Sequence, residues 1–246
     1  MFGATTLTTA AGLLMAATTI ASPAPMGVEE RQSSNCAPVH LLVARGTTEP
    51  PGDGAIGSLA QQIIQANPGA TQEAIDYPAS SYPTYIGDVS TGIKAVTDQF
   101  NSYTNSCPNS TVVLLGYSQG AQIVLDSLCG SGSPQLGGTG KPTITKEKGA
   151  NSAQTPTSTI AAVVAYGDPG HVTGESWNEG TATSNGIFPR PKGACDAWAD
   201  VIHSYCNTGD PFCARGNNMM VHLSYTQTFN NQASQWANKQ IKAHQG

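Results

Sequence analysis

The chain is 246 residues long, enough for one sizeable α/β core or for two small domains. Only 11% of its residues are charged and the formal net charge is −5, so it offers no basic stripe for nucleic acid or an anionic membrane surface. Its surface must instead be rich in Ser, Thr, Asn, Gln and Gly, a composition suited to a neutral extracellular substrate.

Ala10–Ala21 is an apolar run too short to span a bilayer, and small residues and prolines follow it. It reads as a signal peptide, although no Lys or Arg precedes it; a disordered or buried apolar N-terminus is the alternative. The next segment, MGVEER, reads as a short propeptide with a processing point at Arg31–Gln32. Residues 1–31 are therefore set aside as a leader, and 32–246 are taken as one secreted domain. The six cysteines agree with export: the number is even and none has C-x-x-C spacing, so three disulfides are expected. Asn109-Ser110-Thr111 is a glycosylation sequon. No other stretch approaches transmembrane length.

Val39–Ala44, Val112–Leu115 and Ile160–Tyr166 have the unbroken apolar character of buried strands, with Glu73–Tyr77 and Asp200–Tyr205 as weaker candidates. Between them, Ile86, Val89, Ile93, Val96 and Phe100 step by three and four along one helix face. Ala55–Ala66, Gln119–Leu128 and Ser224–Ala243 are further helices; Tyr225, Phe229 and Trp236 in the last are read as core packing. Gly130–Ser158 is polar and Gly-rich. Only about 90 residues follow it, too few for an independent core, so it is read as a surface loop within one domain. Five strands alternating with helices predict an α/β fold, a mostly parallel five-stranded sheet between helical layers.

Gly116-Tyr117-Ser118-Gln119-Gly120 stands directly between a strand and a helix, the setting of a nucleophile elbow. Its sharp turn strains the serine backbone, the glycines allow close strand–helix approach, and the helix N-terminus offers N–H groups to an oxyanion. A serine needs a histidine to take its proton. Of five histidines, His40 and His203 fall in predicted strands, His171 follows a Gly-Asp-Pro turn and His244 is C-terminal. His222 lies in a loop before the last helix, in the order Ser, acid, His of α/β hydrolases. Asp168 and Asp210 are both candidate acids; spacing favours Asp210, between Cys206 and Cys213, where a disulfide would hold it. Gly52-Asp53-Gly54-Ala55-Ile56-Gly57 matches a dinucleotide-binding pattern, with Asp76 as a ribose acid, but several residues separate it from its strand.

The Gly116–Gly120 elbow, together with Ala44-Arg45-Gly46-Thr47-Thr48-Glu49, Gly167-Asp168-Pro169 and SYCNTGDPFC before His222, resembles the fungal cutinase and acetylxylan esterase family. The resemblance covers nearly the whole chain from Cys36 onward. It implies a three-layer α/β-hydrolase-like sandwich without a large lid, with a triad of Ser118, Asp210 and His222. It further implies an oxyanion hole from Thr47 and the backbone N–H of Gln119, and disulfides Cys36–Cys107, Cys129–Cys195 and Cys206–Cys213. Glu73–Ala79, Asp210-Pro211 and the third cysteine pair look like the acetylxylan esterase branch. Met219, Met220 and Val221 before the histidine keep a cutinase reading open, and with Tyr117 and Phe212 they are the candidate substrate contacts.

The expected function is a secreted serine esterase that removes acetyl groups from xylan by a Ser-His-Asp acyl-enzyme mechanism. Its expected partner is an acetylated plant cell-wall polysaccharide or polyester; it needs no metal or organic cofactor and is monomeric by default. A cutinase is the runner-up. A non-catalytic cell-wall-binding protein is the alternative from another class, and the intact Ser, Asp and His count against it.

Overall fold

The computed structural model of the chain describes residues 1–3, 36–131, 140–146 and 159–246. The leader and propeptide assigned to residues 1–31 lie outside the described residues, Met1–Gly3 excepted, as does most of the 130–158 loop. The chain divides into two units, Met1–Arg31 and Gln32–Gly246, and every element below belongs to the second.

In chain order the elements are β1 (Val39–Ala44), α1 (Gly57–Ala66), β2 (Thr71–Ala74), α2 (Tyr85–Ser106), β3 (Thr111–Tyr117), α3 (Gln119–Cys129), β4 (Ile160–Tyr166), β5 (Asn178–Glu179), β6 (Ile202–Tyr205), α4 (Met219–His222) and α5 (Tyr225–Gln245). The six strands form one sheet in the order β2-β1-β3-β4-β6-β5, with every neighbouring pair parallel. A parallel sheet needs helical crossovers that cover both faces, which is why β1, β3 and β4 are buried along their whole length. Successive side chains alternate between two cores. Leu42, Ala44, Val112 and Leu114 pack with residues of α2 and α3 and with Trp198. Leu41, Val43, Val113 and Leu115 pack with residues of α1 and α5.

The sheet has six strands rather than the expected five. The additional strand, β5, is two residues long, too short to leave a periodic pattern in the sequence. β2 occupies Thr71–Ala74 instead of Glu73–Tyr77: it is a half-exposed strand at the sheet edge, and the apolar residues after it belong to the following loop. β6 starts only at Ile202, because Asp196–Val201 form a 3₁₀ turn. The segment expected as a loop before the last helix contains a helical turn, α4, begun by Asn218, whose side chain accepts the Met220 N–H at 3.0 Å. Part of the 130–158 interval packs on the core: Ile144 is buried, and the N–H groups of Thr143 and Ile144 both reach the Ser127 carbonyl.

Two glycines set the approach of α3 to the sheet. A Cβ on Gly116 would lie 2.5 Å from the Gly120 carbonyl oxygen, and one on Gly120 would overlap the Ala44 carbonyl. Both obstructions are backbone, which cannot swing aside as a side chain does. Gly120→Ala is expected to destabilise the fold by about 3 kcal/mol through overpacking. The measurement is the urea unfolding midpoint, and a wild-type midpoint would contradict this account of the junction.

Candidate active site

β3 ends at Tyr117 and α3 begins at Gln119, so Ser118 is the single residue of the turn. Its φ of 54° and ψ of −116° are sparsely populated for a residue with a side chain, a strain of about 1–3 kcal/mol that the surroundings must hold. They do so from both sides: the Ser118 N–H donates to the Tyr166 carbonyl at 2.7 Å, and its own carbonyl accepts the Gln122 N–H at 3.0 Å. The hydroxyl is thereby aimed outward, at the edge where the parallel strands end.

The Ser118 Oγ lies 2.9 Å from His222 Nε2, and His222 Nδ1 lies 2.7 Å from Asp210 Oδ2. With Asp210 ionised, Nδ1 must be the donor to the carboxylate, which leaves the Nε2 lone pair facing the hydroxyl. Asp210 is fully buried, and its other oxygen accepts the N–H groups of Phe212 at 2.7 Å and Cys213 at 3.0 Å. Burial pushes its pKa up. The hydrogen bond and charge of His222, with the two backbone donors, outweigh that effect and hold it below the usual carboxylate range. The Cys206–Cys213 disulfide closes a short loop around this residue.

Sequence reasoning missed several supports. The Tyr225 hydroxyl donates to Asp210 Oδ2 at 2.8 Å and accepts the Asn207 N–H at 2.9 Å. Burial, reinforced by the Asp210 charge, raises its pKa, so it stays a donor. Read from the sequence it was one aromatic of a core face; nothing local reveals that its hydroxyl meets a carboxylate 15 residues earlier. Gly167 backs the imidazole: a Cβ there would stand 2.8 Å from His222 Cε1. The signal was present in Gly167-Asp168-Pro169, but its glycine, rather than its aspartate, touches the histidine. Asp168 is buried and bound to Arg190, with 2.5 Å from Nη1 to Oδ2, while Arg190 Nε also meets Asp126 at 2.7 Å. An aspartate so engaged by a guanidinium is unavailable to the imidazole.

The remaining candidates are distributed as follows. Thr47 donates its hydroxyl to Gln119 Oε1 at 3.3 Å, which places it beside the start of α3, where the Gln119 N–H has no intrahelical acceptor. Its loop is fastened by Arg45, which donates to the carbonyls of Glu49, Ile75, Tyr77 and Pro78, and by Thr48 N–H on Ala79 O at 2.7 Å. The glycine-rich 52–57 segment folds back on Glu49, which accepts the Ala55 N–H at 2.8 Å. Tyr117 is buried and gives its hydroxyl to the His222 carbonyl, so it holds the histidine segment rather than presenting a surface. Phe212 stands edge-on to the imidazole at 4.6 Å. Met219 and Met220 are exposed, Val221 is half-buried, and exposed Leu223, which the sequence did not single out, follows the histidine. His40 stacks on Tyr103 and His203 on Trp236. The three disulfides are Cys36–Cys107, Cys129–Cys195 and Cys206–Cys213. Asn109 is exposed in the turn before β3, at the end of that strand away from Ser118. Among the described residues no His, Cys, Asp and Glu cluster is placed to hold a metal ion, and no helix is long and apolar enough to cross a membrane.

A parallel sheet between helices, an elbow serine and this hydrogen-bonded series have the form of an α/β hydrolase. The chain belongs to the cutinase family, whose profile matches residues 35–241, and it is a carboxylic ester hydrolase. It is 36% identical to an acetylxylan esterase of Hypocrea jecorina over 94% of this chain and 76% of that protein. It is 39% identical to cutinase 11 of Verticillium dahliae, over 87% and 70% respectively. The solved catalytic core domain of acetyl xylan esterase from Trichoderma reesei superposes with a TM-score of 0.75 at 37% identity, covering 83% of this chain and 99% of that one.

Because the Asp210 pKa is lowered in the fold, its stabilising bonds are present at neutral pH and lost as pH falls through that lowered value. Tyr225→Phe is expected to cost about 2 kcal/mol at pH 7, the scale of a hydrogen bond to a charged group. The deficit should shrink below the ordinary carboxylate range, where the charge is lost. Chemical denaturation of both proteins across pH checks this; a deficit independent of pH would mean that the tyrosine acts by packing alone.

Proposed function

We propose that this chain is a secreted serine esterase that removes acetyl groups from xylan, with residues 1–31 as its leader and 32–246 as its catalytic domain. The observation that carries the reading is the unbroken series from Ser118 Oγ through His222 to Asp210, at 2.9 and 2.7 Å. Ser118 Oγ bonds to the acetyl carbon as its proton passes to His222 Nε2. The carbonyl oxygen, now an anion, lies against the Gln119 N–H and Thr47, donors in place before the charge develops. The bond to the sugar oxygen then breaks, and His222 protonates that oxygen. Water attacks the acetyl-enzyme while His222 takes its proton, and acetate leaves as Ser118 recovers its hydrogen. Asp210 stays ionised and fixes the imidazole throughout.

Xylan as the polymer is supported by likeness to two acetylxylan esterases, of Hypocrea jecorina and Talaromyces purpureogenus, at 36% and 35% identity. Secretion is supported by three disulfides and by the apolar leader pattern. A second reading, a cutinase acting on longer acyl esters, is favoured by exposed Met219, Met220 and Leu223 around His222.

Hydrolysis of p-nitrophenyl esters from acetate to palmitate separates the two. A preference for acetate that collapses by butyrate supports the acetyl esterase; a maximum at butyrate or beyond means that the α4 methionines receive the acyl chain. Ser118→Ala should lower kcat on the order of a millionfold, and a variant that keeps its activity sinks the mechanism. Since His222 must be neutral to act as base and Asp210 stays ionised, log kcat/KM should fall with unit slope on the acid side. A slope of two would show that the carboxylate titrates with the imidazole.

A further inference from the structure

Among the described residues Tyr82 is the most exposed large hydrophobic residue outside the chain terminus, at 82% of its full accessible surface, and its side chain has no hydrogen bond or ring partner among them. An aromatic ring so fully in water contributes little to the core, and its open face is free to stack on a ligand ring. Its position is fixed by what holds the segment on either side. The Ala79 carbonyl accepts the Thr48 N–H at 2.7 Å, and the Tyr85 carbonyl accepts from Gln119 Nε2 at 3.3 Å. One anchor is thus the neighbour of Thr47 and the other is the neighbour of Ser118. Tyr82 lies three residues from each, so its Cα is within about 11 Å of both anchored residues. A third bond, Ser80 N–H to Asp88 Oδ2 at 2.7 Å, ties the same segment to α2.

The surroundings distinguish the kind of ligand. The hydroxyl residues Ser80, Ser81 and Thr84 flank it in sequence, Ser81, Pro83 and Thr84 are exposed with it, and the Thr84 hydroxyl donates to the Ser81 carbonyl at 3.1 Å. The apolar side chains of the site, Met219, Met220 and Leu223, come instead from α4 and the residue after it. Hydroxyls beside an open aromatic face match a sugar, whose C–H face stacks on the ring while its rim makes hydrogen bonds. A flexible acyl chain would be served by the methionines.

We propose that Tyr82 is a stacking platform for a xylose ring of the main chain, next to the sugar whose ester is presented to Ser118. This rests on the xylan reading above and extends it to a specificity-determining residue. The platform holds the polymer beside the serine and has no part in the bond-making steps.

Unacetylated xylohexaose, which has no ester to cleave, should inhibit p-nitrophenyl acetate hydrolysis competitively. Tyr82→Ala should raise its inhibition constant about five- to tenfold, the scale of one lost aromatic contact, and Tyr82→Trp should restore it. An unchanged constant in Tyr82→Ala, no inhibition of the wild-type enzyme, or failure of Trp to restore binding would each overturn the proposal. Acetate release from acetylated xylan is measured in parallel. Its absence, with Tyr82-dependent inhibition intact, would refute xylan deacetylation and leave the sugar subsite standing.

Discussion

A carboxylate taken out of water costs several kcal/mol unless its oxygens find donors. Asp210 has no solvent exposure, and its two oxygens receive four hydrogen bonds, from His222, Tyr225, Phe212 and Cys213. Those donors come from three places in the chain: the disulfide loop itself, the α4 turn and the first residue of α5. Satisfying one buried charge therefore gathers the disulfide loop, α4 and the start of α5 at the edge of the sheet. The imidazole is oriented as a consequence, since its Nδ1 has to meet the carboxylate.

The same edge receives the other groups because the sheet is wholly parallel. Every strand delivers the loop that follows it to one side. β1 leads to Thr47, β2 to the segment bearing Tyr82, β3 to Ser118, β4 to Gly167 and β6 to Asp210. The buried ion pairs of Arg190 with Asp168 and Asp126 lock the β4 loop against α3 from beneath. Asp168 is thus engaged at a point where a sequence reader sees a free strand-end carboxylate.

The rim of the site is chemically divided. Residues of α4 contribute exposed methionines, and the segment after β2 contributes an exposed aromatic ring flanked in sequence by Ser81 and Thr84. On the function proposed above, in which the reacting acyl group and the polymer chain leave the ester in different directions, the first face would meet the acyl group and the second the polymer.

Much of this was legible before folding. Unbroken apolar runs marked β1, β3 and β4, since strands buried on both faces need no polar alternation, and G-x-S-x-G between strand and helix marked Ser118. The order of Ser118, Asp210 and His222 also lay in the sequence, where spacing favoured Asp210 over Asp168 and the family resemblance decided between them. What the tertiary structure alone decided were contacts between residues far apart in sequence: that Arg190 occupies Asp168, that the Tyr225 hydroxyl meets Asp210 and that Gly167 backs His222. The two-residue β5 and the four-residue α4 belong to the same group, for their residues carry no period and take their form from the strands and loops they pack against. Local pattern records which face of an element is buried; which polar groups meet inside is set only when the elements close on one another.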